Sequence, residues 1–90
     1  MAVDHYTITV GTTPIRILQA PAGVDICKAY ITNHDNAALY IGDSSVSTSG
    51  ANWGFTITKD ASYEFELAAG DELYAISTTS AQTTVLLLNT

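Results

Sequence analysis

Apolar residues recur at every second position along most of this chain, and a period of two admits strands and little else. Tyr6, Ile8 and Val10 alternate with His5, Thr7 and Thr9 until Gly11 stops the run. Pro14 opens a second run, Ile15-Arg16-Ile17-Leu18, punctuated by Pro21 and Gly23. Proline at a strand's first residue removes no ladder hydrogen bond that the centre needs. Cys27, Ala29 and Ile31 alternate with Lys28, Tyr30 and Thr32. The polar turn Asn33-His34-Asp35-Asn36 then leads into Ala38-Leu39-Tyr40-Ile41.

Beyond a long irregular segment from Gly42 to Trp53, the pattern resumes. Phe55 and Ile57, then Tyr63, Phe65 and Leu67, form two more alternating runs, with Glu64 and Glu66 on the opposite, solvated side. Lys59-Asp60-Ala61 reads as a hairpin joining them. Ala69-Gly70-Asp71 turns the chain into Leu73-Tyr74-Ala75-Ile76, and Val85-Leu86-Leu87-Leu88 closes it as an unbroken apolar run. A strand apolar on both faces sits centrally in a sheet, or its second face meets another subunit. About eight short strands spaced by turns, without a convincing helix, predict an all-β fold. The expected architecture is a single-domain antiparallel β-sandwich or small barrel, jelly-roll-like, over residues 1–90. Ninety residues leave no room for a second core.

Composition agrees and narrows the function. Charged residues are 13% of the chain, about half the usual share, while Ser and Thr supply 20 of 90 positions. Disorder needs low hydrophobicity and high charge, and this chain is 47% hydrophobic. The formal net charge is −6, and Arg16, Lys28 and Lys59 are the full set of basic side chains. A nucleic-acid binder needs clustered bases to neutralise phosphates, so direct nucleic-acid binding is not expected. Anionic membrane surfaces are disfavoured for the same reason. Cys27, being single, forms no intramolecular disulfide, which suits maturation in a reducing cytosol. The opening residues carry neither a positive region nor an apolar stretch of signal-peptide type, so a soluble, unexported chain is expected.

Cys27, His5 and His34 lack the paired spacing of a zinc site, so no metal is expected. Cys27 with His34 could be read as nucleophile and base, but Cys27 shares a strand face with Ala29 and Ile31, where cysteine acts as a small buried hydrophobe. No serine sits in a nucleophile elbow, and no glycine-rich phosphate loop is present. The expectation is a protein that is not an enzyme. Trp53, at the end of the irregular segment, leaves three readings open: a plug over one end of the sandwich, an anchor in a protein interface, or a sugar-stacking platform.

Two segments resemble a known family. Leu39-Tyr40-Ile41-Gly42-Asp43-Ser44-Ser45-Val46-Ser47-Thr48 and Ala69-Gly70-Asp71-Glu72-Leu73-Tyr74-Ala75-Ile76-Ser77 are similar to segments of small β-rich virion proteins of tailed bacteriophages, the capsid decoration and minor structural proteins. In such chains a strand runs into a G-x-S-x-V-S/T-T loop, a G-D-x-L-Y-A-I strand follows, and an apolar strand closes the chain. The order matches from about Ala29 to Leu88, while Ser49 to Phe55 departs from it, where the pattern has a shorter, proline-containing approach. The resemblance implies a non-enzymatic subunit on a phage head shell, made in the host cytoplasm, needing no cofactor. Its implied partners are the major capsid protein or other virion proteins, and copies of itself, with a homotrimer favoured. Trp53, Val85, Leu86, Leu87 and Leu88 are the candidate interface residues. The alternative is a carbohydrate-binding module using Trp53 and exposed tyrosines such as Tyr30 or Tyr40.

Overall fold

The computed structural model describes residues 2–23 and 27–89. Eight strands form: β1 (Ala2–Val10), β2 (Ile15–Gln19), β3 (Cys27–Asn33), β4 (Leu39–Gly42), β5 (Phe55–Ile57), β6 (Ser62–Leu67), β7 (Glu72–Ser77) and β8 (Ala81–Asn89). A single 3₁₀ turn, Gly50–Asn52, interrupts the β4–β5 loop. The strands build two antiparallel four-stranded sheets, ordered β1-β8-β3-β6 and β2-β7-β4-β5. That order interleaves two Greek keys, and the fold is a jelly-roll sandwich.

Alternation decides which side chains enter the core. Along β3, Cys27, Ala29, Ile31 and Asn33 are all buried while the residues between them are partly exposed. Val10 from β1, Ile57 from β5, Ala75 from β7 and Val85 from β8 meet these side chains in one core. β2 breaks the rule, because Ile17 and Leu18 are adjacent and both buried. The ladder between β2 and β7 shifts register between Arg16 and Leu18. Ile17 is thus the extra residue of a β-bulge, which lets two neighbours face the same side.

The expected hairpin between β5 and β6 does not form. β5 pairs with β4 in one sheet and β6 with β3 in the other, so Thr58 to Ala61 crosses between sheets. Alternation reports a strand's inward face but not the sheet it joins, and the partner strands decide that. Asp60, held at a φ of 61°, donates its N–H to the Asn33 carbonyl at 2.7 Å, and the Asn33 N–H returns to the Ala61 carbonyl at 3.3 Å. Of the consecutive strands, only β4 and β5 are hydrogen-bonded neighbours.

The sandwich has two open sides, where edge strands of the two sheets approach each other. On one side the Tyr6 hydroxyl of β1 donates to the Ile17 carbonyl of β2 at 2.5 Å. On the other side Phe55 of β5 meets Tyr63 and Phe65 of β6 edge to face, with ring centroids 5.0 and 5.7 Å apart.

Candidate functional site

β8 lies between β1 and β3, the central position expected of a strand apolar on both faces. Of the four candidate residues it carries, Val85 and Leu87 point into the core and are unavailable to a partner. Leu86 and Leu88 face outward. The register sets them in two rows across the sheet: Val3, Leu88, Lys28 and Glu66 in one, His5, Leu86, Tyr30 and Glu64 in the next. Val3 is 65% exposed, while Leu86, Leu88 and Tyr30 are half-buried by one another. Hydrogen bonding to the Glu64 carboxylate beside it raises the Tyr30 phenol above its ordinary pKa.

The other half of this face is hydroxylic. Thr9 Oγ1 donates to Gln82 Oε1 at 3.0 Å, the Thr32 and Ser62 hydroxyls bond each other, and His34 Nε2 bonds Thr84 Oγ1 at 2.8 Å. These side chains are tied to neighbours, so less rotamer entropy remains to be lost against a partner.

The second exposed surface is the β4–β5 loop with the adjoining aromatic side of the sandwich. Trp53 is 64% exposed and plugs nothing. The buried side chain of this loop is Val46, which sits against Gly42 and Gly54. A Cβ on Gly54 would stand 2.6 Å from Val46 Cγ2 and 2.9 Å from the Ile41 carbonyl oxygen, so only glycine lets the valine seat there. Asp43 Oδ1 accepts from the Ser45 N–H at 2.9 Å and the Ser45 hydroxyl at 2.7 Å, and these bonds lower its pKa. The Ser47 N–H donates to the Asn52 carbonyl at 2.8 Å, and the Gly54 N–H to the Ser47 carbonyl at 3.0 Å. The loop is long but pinned along its length.

Phe55, 50% exposed, and Tyr63, 43% exposed, extend the surface from Trp53. Alternation assigns both inward. They are exposed because β5 and β6 are edge strands with no neighbour to cover them. The proximity of Phe55 to Trp53 in sequence was the one available signal. Tyr30 and Tyr40, the other aromatic candidates, are half-buried: Tyr30 lies on β3 in the other sheet, and Tyr40 on β4 opposite Thr56 of β5 and Ile76 of β7.

Cys27 opens β3 inside the core and His34 follows its end, so the two are more than about 20 Å apart along an extended strand. Burial raises the Cys27 thiol pKa. Among the described residues no three His, Cys, Asp or Glu side chains converge into a metal-binding group, and Glu64 and Glu66 are exposed beside Tyr30 and Lys28.

No family model matches the chain, and no curated protein matches it by sequence. Among solved structures it is similar to a chain from Bacillus endospore appendages, described as a novel family of disulfide-linked pili. The match has 14% identity and a TM-score of 0.50, covering 96% of this chain and 84% of that one. A likeness at that identity shows the fold alone.

Proposed function

We propose that this chain is a non-enzymatic structural subunit that assembles with copies of itself through the outer face of β1, β8 and β3. The observation that carries the reading is the outward pair Leu86 and Leu88, continued by the exposed Val3. Contiguous apolar surface on a soluble domain marks an interaction site. Among the described residues the only helical element is the turn Gly50–Asn52, in the loop of the opposite sheet, so nothing of that kind lies over this face. A second copy supplies the cover, and closed symmetry buries the same patch in every protomer.

The setting proposed is the virion of a tailed bacteriophage, on the strength of the Leu39–Thr48 and Ala69–Ser77 segments. There the subunit, as a trimer, decorates the head shell and contacts the major capsid protein or another virion protein. A pilus-forming chain of similar fold supports the general idea of a jelly roll used as a building block. Sedimentation of the wild type and of a Leu86→Asp/Leu88→Asp variant tests the reading. The wild type should run as a discrete oligomer and the folded variant as a monomer. A wild type that stays monomeric at high concentration overturns it.

A further inference from the structure

The β4–β5 loop invests more order in displaying Trp53 than packing explains. Its burial is supplied by Val46, and its backbone is fixed by the Asp43–Ser45, Ser47–Asn52 and Ser47–Gly54 hydrogen bonds. The indole that this framework holds, the single Trp of the chain, is nevertheless 64% exposed. Beside it lies a depression of about 270 Å³, lined in part by Asp43, Asn52, Trp53, Gly54 and Phe55. That is slightly below the ~300 Å³ at which pockets for larger organic ligands begin.

The chemistry of the lining narrows the ligand. An exposed indole offers a flat apolar face, suited to the C–H face of a sugar ring. Asp43 Oδ2 and the Asn52 side-chain amide take no hydrogen bond from the protein among the described residues, leaving an acceptor and an amide for hydroxyls. No cationic side chain lines the depression, and a second depression of about 350 Å³ shares Asp43 and adds Asp71, along with Glu72, whose charge is paired with Arg16 at 2.9 Å. Phosphorylated, sulfated or carboxylated ligands are therefore repelled. Asp43 borders both depressions.

We infer that Trp53, Asn52 and Asp43 form a binding site for neutral saccharides, with one ring stacked on the indole. The site is separate from the outer face of β8 and lies on the opposite sheet.

Fluorescence titration tests this directly, because Trp53 is the sole tryptophan and its emission reports the stacked ring. The probes are neutral oligosaccharides of glucose and of N-acetylglucosamine, with an array of neutral and sialylated glycans for breadth. The wild type should give a saturable change with at least one neutral series and none with sialylated glycans. Trp53→Ala, with its fold checked by circular dichroism, should lose binding on the array. Asn52→Ala should weaken it about tenfold, and Leu86→Asp/Leu88→Asp should leave it intact. If Trp53→Ala fails to fold, Trp53→Phe and Asn52→Ala carry the test. The inference fails if the wild type binds no neutral glycan at millimolar sugar, or if folded Trp53→Ala binds as well as wild type. It fails equally if Trp53→Ala breaks up an oligomer while the wild type ignores every glycan, since Trp53 is then a protein contact.

Discussion

The Tyr6 hydroxyl donates to the Ile17 carbonyl at 2.5 Å, a bond from the edge strand of one sheet to the edge strand of the other. It exists because of the bulge. Ile17 is the residue that the β2–β7 ladder skips, so its carbonyl is free to accept a partner from outside its sheet. Tyr6 supplies that partner and closes the β1–β2 side of the sandwich.

Tyr6→Phe should therefore cost about 1–2 kcal/mol, because it leaves the Ile17 carbonyl partly buried and unpaired. Burial, with the nearby Asp4 second, raises the Tyr6 pKa above its ordinary value near 10. A raised folded-state value means the native protein holds this proton more tightly than the unfolded chain does. The contribution is complete below about pH 10 and is lost as the pH climbs through the folded value. Urea melts from pH 8 to 11 should show that decline in the wild type and a shallower one in Tyr6→Phe. Equal slopes would remove Tyr6 from the account.

Asn33 is fully buried at the end of β3 and works as a junction. Its Nδ2 donates to the Ala37 carbonyl at 2.9 Å and the Ile57 carbonyl at 3.0 Å, and its Oδ1 accepts from the Asp35 N–H at 3.0 Å. Asn33→Ala should cost about 3 kcal/mol by denaturant unfolding, since it orphans three groups, two in the β3–β4 turn and one on β5. Asn33→Asp has the same shape but no donors, and should cost at least as much. A loss under about 1 kcal/mol for both would show that water replaces the side chain.

Gly54→Ala should destabilise by about 1–3 kcal/mol through overpacking against Val46 and Ile41. Adding Val46→Ala should recover part of the loss, because the methyl contact goes while the Ile41 backbone contact stays. A double-mutant cycle measures this coupling. Strict additivity would mean that Gly54 and Val46 do not press on each other.

These residues also mark where the sequence stopped being informative. The period of two put Cys27, Ala29 and Ile31 on one buried face, and the unbroken apolar run left β8 either central or set against another subunit; the sheet order makes it central. Alternation could not place β5 and β6 in different sheets, because every pairing but β4–β5 joins strands that are not consecutive in the chain. Asn33 reads as the first residue of a polar turn, and nothing local says that the Ile57 carbonyl of β5 will meet its amide beside the Ala37 carbonyl of the turn itself. For Trp53 the missing fact was that Val46, not the indole, fills the space between the two glycines.

Cys27 is fully buried and its thiol pKa is raised by desolvation, so the reactive thiolate is scarce at neutral pH. A maleimide should label the native protein slowly and the denatured protein at once. Oxidised samples should contain no disulfide-linked dimer on non-reducing gels. Rapid native labelling would put Cys27 at the surface and contradict the core described for β3.

The closing strand offers the sharpest contrast, because its neighbours in sequence answer to different forces. Leu87 is 7% exposed and packs in the core, whereas Leu86 stands on the outer face between His5 and Tyr30. An aspartate at 87 would bury a carboxylate without a partner, and the core has none to offer, so Leu87→Asp should leave the chain unfolded at room temperature. An aspartate at 86 meets water on one side and the Tyr30 and His5 side chains on the other, so the fold should survive with a loss of about 1 kcal/mol. Circular dichroism and thermal melts separate the two variants before any question of assembly arises. If Leu86→Asp unfolds as completely as Leu87→Asp, the outer face of β8 is not free surface, and the assembly interface proposed there has to be sought elsewhere on the molecule.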